Sequence, residues 1–161
     1  MQLTRIVRRA FVALLVVLAI CAVPIAAAAG PPETTTTVTK ATDTFVDVIP
    51  FCADNGPLYE LTIDYILVLH ETVFADGSVH ATFTQTGTFV AVAQEPGEPD
   101  ASGRFTQWGG FNQSPGGAVN GTFTFSVRGR FEDGTKINFH LTDHFNVTPT
   151  GAEFFFTHCH D

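Results

Sequence analysis

The sequence predicts an all-β protein, most simply an antiparallel up-and-down barrel of seven or eight strands, with a two-sheet β-sandwich as the alternative. Three observations carry that prediction. From Asp43 onward apolar and polar residues alternate with period two in stretch after stretch, and no stretch has a helical period. The stretches are separated by short turns rich in Gly, Pro and Asp. The chain also holds 16 phenylalanines, most of them at the apolar positions of that alternation, which is enough to build one buried face.

The first 29 residues read as a cleaved signal peptide rather than part of the fold. Arg5, Arg8 and Arg9 form a basic start, Phe11 to Ile20 is an unbroken apolar run, and Ala27, Ala28 and Ala29 supply the small residues a signal peptidase requires. Arg8-Arg9-Ala10-Phe11 resembles a twin-arginine core, whereas the strongly apolar run suits the general secretory route. Cys21 is preceded by Ile20, which is not the small residue of a lipid-attachment site. The expectation is a secreted, extracellular protein. After Gly30 the chain has five bases against 16 acids, a net charge of −11, which argues against nucleic acid or an anionic membrane as partner. Two cysteines remain, Cys52 and Cys159, and in an oxidising compartment they are expected to pair. A loop of that length stabilises by about 4–5 kcal/mol in the chain-entropy view.

Residues 30–42 are rich in Thr and Pro and read as a lead-in or an edge strand; 43–161 read as a single β domain. Strands are expected over 43–51, 59–74, 78–93, 102–108, 120–132, 135–148 and 152–160, with 34–40 as an eighth. In the second, Leu61, Ile63, Tyr65, Leu67 and Leu69 share one face; in the third, Val79, Ala81, Phe83, Phe89 and Ala91 do. Phe123, Phe125, Val127 and Phe131, then Ile137, Phe139, Leu141 and Phe145, continue that odd-numbered face. Ala75-Asp76-Gly77 and Glu132-Asp133-Gly134 suit three-residue hairpin loops with Gly in the left-handed position, which pairs Val73 with Val79 and Phe131 with Thr135. A two-residue turn would set Leu69 against Thr84 and mix the faces, so the pattern selects the longer loop. Gln94 to Ala101, Gly109 to Ala118 and Pro149-Thr150-Gly151 read as the other turns.

Cys52, Leu69-His70-Glu71-Thr72 before a hairpin, Gly103-Arg-Phe-Thr-Gln-Trp108, His140-Leu-Thr-Asp143-His144-Phe145 and a terminal Cys give the chain, from about residue 45, a layout that resembles a group of small secreted actinobacterial β proteins. The resemblance implies secretion and one β domain, with the look of a lipocalin or avidin barrel. It implies no activity.

Polar residues on the apolar parity are the candidates for function. Glu71, Gln85 and Asp143 fall there, and a buried polar group must be paired or serve a ligand. They are read as polar anchors of a pocket in a barrel mouth, with Tyr65 and Trp108 as aromatic walls and the glycine-rich stretch Gly109 to Ala118 as a lid. Two carboxylates facing one cavity would also suit acid–base chemistry of a cyclase or isomerase kind, through Glu71 or Asp143. A structural role for Glu71 and Asp143, fraying outward or pairing with an arginine, is the plainer alternative. His140, His158 and His160 form a His-x-His with a cross-strand His, the spacing of a zinc site; they lie on the Thr-rich face, where solvated histidines are commoner, so no metal is expected. Phe154, Phe155 and Phe156 put rings on both faces of the last strand, a feature of a homo-oligomer or protein interface. Gly109-Gly110 and Gly116-Gly117 lack the strand-to-helix setting of a phosphate loop, there is no Gly-x-Ser-x-Gly elbow, and no cofactor is implied. The composite expectation is a secreted, non-enzymatic binder of a small apolar or amphipathic molecule or a protein partner. The alternatives are the cavity enzyme and a structural cell-envelope protein without ligand.

Overall fold

A computed structural model describes residues 30–49 and 56–160. The leader and Cys52 lie outside the described residues, and the side chain of His160 does too. Seven strands make one antiparallel sheet: β1 (Glu33–Val48), β2 (Leu58–Val73), β3 (Val79–Ala93), β4 (Ala101–Gln113), β5 (Val119–Phe131), β6 (Lys136–Val147) and β7 (Glu153–His160). Their order across the sheet is their order along the chain.

Four of the connections are the same object. Phe74, Ser114, Phe131 and Thr148 each donate an N–H to the carbonyl four residues on, at 2.8–2.9 Å, and each accepts at 2.9 Å from the N–H of a glycine three residues on. Those glycines, Gly77, Gly117, Gly134 and Gly151, have φ between +82° and +88°, where a side chain is strained and glycine is not. Polar side chains then bind the exit of the loop. Asp76 Oδ1 accepts from the N–H and hydroxyl of Ser78, Asp133 Oδ1 from the N–H of Thr135, and Thr148 Oγ1 from the N–H of Ala152. At 75–77, 132–134 and 149–151 this is the three-residue loop that the alternation admits, and the register agrees: Val73 stands opposite Val79 and His140 opposite His160. At 115–117 it takes the place of the longer turn expected over 109–118.

Four loops have the same odd number of residues and the two longer connections keep the same parity, so odd positions pair with odd across all seven strands. Odd positions share one face and even positions the other. Tyr59, Leu61, Ile63, Phe89, Phe105, Val127, Ile137, Phe139 and Leu141 are buried on the odd face and form one core. Full burial of side chains such as Tyr59, Leu61 and Val127 contributes about 1.5–3 kcal/mol each. The odd face is concave. The rings of Tyr59 on β2 and Phe131 on β5 lie 6.1 Å apart, although strands three apart in a flat sheet are separated by about 14 Å. Between them the floor carries Ala91 and Ala101, both buried, so the sheet has room to curl. Farther along, Phe89 lies over Gly103, where an added Cβ would come 2.7 Å from its ring, and Phe145 lies over Gly121 at 2.6 Å.

Several expectations are corrected. The described residues form one sheet, not the two of a sandwich, and the sheet does not close: β1 pairs only with β2, and β7 only with β6. Residues 34–40 are not a separate strand, since β1 runs unbroken from Glu33 to Val48 as an edge. The stretch Gly109 to Ala118 is not a lid. Gly109 and Gly110 lie inside β4, which continues to Gln113, and only Pro115 to Gly117 turn. Glycine there answers crowding rather than flexibility: a Cβ on Gly109 would press into Phe123, and one on Gly110 would meet the Ala81 carbonyl at 2.8 Å.

Candidate functional site in the concave face

The middle of the concave face holds two neighbouring amides in an apolar surround. Gln85 on β3 and Gln107 on β4 are directly opposed, flanked by Leu67 on β2 and Phe125 on β5. They are 3% and 2% exposed, and the Oε1 atom of each is buried without a hydrogen-bond partner. An unsatisfied buried acceptor costs about 1–3 kcal/mol, and here two stand side by side. On one side of them runs a chain of rings, with Phe105 5.8 Å from Phe125 and Phe125 5.9 Å from Phe139. On the other side, toward the hairpin ends of β2 and β6, Leu69 and Phe83 are only half-buried, so the trough is open there.

Tyr65 sits one step along β2 from Leu67 on the same face, beside Gly87, and its hydroxyl donates to Asp43 Oδ2 at 2.8 Å. Partial burial, followed by that bond and the adjacent negative charge, pushes the phenol up to about 12. Tyr59, deeper in the same face, is also raised, by burial first and then by Glu98, Asp100, Asp133 and Glu95. An open hollow of about 590 Å³ over β1 to β3 is lined mostly by even-numbered residues, Lys40, Thr42, Asp64, Ile66, Thr86 and Thr88, and so belongs to the outer side of the sheet rather than to the trough.

Glu71 and Asp143 share the concave parity and the same end of the sheet, as expected, but β3, β4 and β5 lie between their strands. Glu71 stands opposite Ala81, and Asp143 opposite Phe123, both half-buried. No protein family, curated protein or solved structure matches this chain. Its chemistry is therefore read from its own residues.

Trp108 is not a wall of the trough. It follows Gln107 and so faces the outer, threonine-rich side, 42% exposed, with its ring 6.1 Å from that of His140. His140 and His158 are on that outer face as well, and no three ligating side chains gather around a metal position among the described residues. Of the expected anchors, the structure joins Gln85 and Tyr65 to one face of adjacent residues and leaves Trp108 behind the sheet. Gln107 and Asp43 were missed. The signal for Gln107 was the one that selected Gln85: a polar residue on the apolar parity, between Phe105 and Gly109. Asp43 carries no such signal, because its partner Tyr65 is 22 residues away.

Proposed function

We propose that this is a secreted, non-enzymatic binding protein whose concave face takes a small amphipathic molecule, with Gln85 and Gln107 as its polar anchors. One observation carries the reading: two adjacent amide oxygens are buried without a donor in the centre of an otherwise apolar trough. A ligand with a hydroxyl or amide N–H on an apolar body supplies the missing donor while its body covers Leu67, Leu69, Phe83 and Phe125. The curled sheet acts as an incomplete barrel around it, and Tyr65 stays protonated at any physiological pH, a neutral wall beside the anchors. A leader at 1–29 and a Cys52–Cys159 disulfide belong to the same reading. The intact mass of protein recovered from its host's medium should lack the leader and two hydrogens.

The test compares dodecanol with dodecane as probes on the wild type and on the double variant Gln85→Leu, Gln107→Leu. The wild type should prefer the alcohol at least tenfold, a difference of about 1.4 kcal/mol. The variant should lose that preference, yet be more stable without ligand by roughly 1–3 kcal/mol, since two unsatisfied acceptors are gone. Equal binding of the two probes by the wild type, or a variant less stable than the parent, would overturn the reading. The second outcome would make the amides a structural pair and favour an envelope protein without ligand.

A further inference from the structure

The outer face carries a second, chemically different feature. We propose that it is a platform for neutral glycans, centred on Trp108. Thr84 and Thr124 stand directly beside Trp108 on the neighbouring strands, and Thr106 and Gly110 are its outer-face neighbours along β4. The four diagonal positions are Thr82, Thr86, Thr122 and Ser126. Every position around the indole thus bears a hydroxyl except Gly110, which leaves the surface beside the ring open. None bears a charge.

The hydroxyls are largely uncommitted. Thr122 bonds the imidazole of His144 at 2.8 Å and Thr124 meets Thr142 at 3.5 Å, whereas Thr82, Thr84, Thr86, Thr106 and Ser126 make no side-chain hydrogen bond among the described residues. The indole itself touches one ring, that of His140, at 6.1 Å and 51°, and its N–H has no protein acceptor among the described residues.

The chemistry that fits is a pyranose. One face of a sugar ring presents C–H groups that lie against an indole, and its rim presents hydroxyls that both donate and accept, as threonine and serine do. A charged ligand finds no counter-ion at these positions. An apolar protein anchor would need an apolar surround to exclude water, and here the surround is hydrated. The pleated sheet holds the hydroxyls at fixed spacings, so no ordering of a loop opposes binding.

Trp108 is the only tryptophan of the chain, so its fluorescence reports on this site alone. Purified protein is titrated with cellohexaose, chitohexaose and mannohexaose, followed by emission and by calorimetry. The expected result is saturable binding of at least one of them, weakened about tenfold or more by Trp108→Ala. Thr84→Val with Thr124→Val should weaken it several-fold while leaving the thermal midpoint unchanged. No saturable change with any of the three at millimolar concentration, or calorimetric binding unaffected by Trp108→Ala, would overturn the proposal. Dodecanol binding in the trough should be indifferent to Trp108→Ala, which separates failure here from failure of the concave-face reading.

Discussion

At the residue scale, the partial burial of Tyr65, together with its bond to Asp43, makes a pH dependence. The phenol titrates at about 12 in the fold against an ordinary value of 10.0. Between those values the unfolded chain has released its proton and the folded one has not, so the folded state binds more protons and stability falls as pH rises. The contribution is complete below pH 10 and gone above 12. Urea midpoints measured at pH 9, 10 and 11 should decline for the wild type and decline less steeply for Tyr65→Phe; parallel slopes would show that Tyr65 is not the group responsible. Tyr59 supplies part of the remaining slope, because burial and its acidic neighbours raise it as well. Residues whose role follows from parity, such as Gln85, were legible in the sequence. Residues whose role follows from a cross-strand partner, such as Asp43, were not. Trp108 stands on the even parity, so its outward orientation is legible in the sequence; its aromatic ring and its place on the strand leading into Gly109–Ala118 point to a pocket instead, and parity wins.

The element that organises the sheet is the three-residue hairpin loop. Gly134 has φ +88° and nothing within 4 Å of an added Cβ, so replacing it tests backbone strain alone. Gly134→Ala should lower stability by about 1 kcal/mol or somewhat more, Gly134→Asn by less, and Gly116→Ala, in the same kind of loop without a positive φ, hardly at all. Chemical denaturation of the three variants decides it, and an Ala variant as stable as the parent would contradict the loop geometry. These loops were legible because Asp-Gly and Pro-x-Gly are local signals and the alternation on both sides admits one register. The end of β4 was misread for the reverse reason. Gly109 and Gly110 look like a turn locally, but Gly109 is glycine because Phe123 occupies the space on the next strand. Glycine used for close packing and glycine used for turning are the same letter, and the neighbour that distinguishes them is distant in sequence.

At the scale of the whole molecule, the sheet has two edges, β1 and β7, that have no further strand partner among the described residues. On β7 the three consecutive phenylalanines are 61%, 42% and 64% exposed, and Glu153 is the only charged residue before the histidines. A long apolar edge of this kind templates strand addition. The protein is expected to self-associate through β7, and Phe156→Lys, a charge placed on that edge, should shift the equilibrium toward monomer in sedimentation at fixed concentration. Association unchanged by Phe156→Lys and abolished by Val38→Lys would assign the contact to β1 instead. Alternation set which face is apolar and how successive strands pair, but it is silent on whether the first strand meets the last. That is decided by total curl, which depends on where Ala91, Ala101, Gly103 and Gly121 thin the concave side.

The identity of strand order and chain order has one more consequence. Each pairing closes a loop of a few residues, apart from the connections at Ile49–Pro57 and Gln94–Asp100, so the entropy lost at each closure is small and no pairing must wait for a distant partner. A chain emerging end-first can add one ribbon at a time to a growing edge, and every stage of its assembly presents the same kind of border that the finished molecule still has.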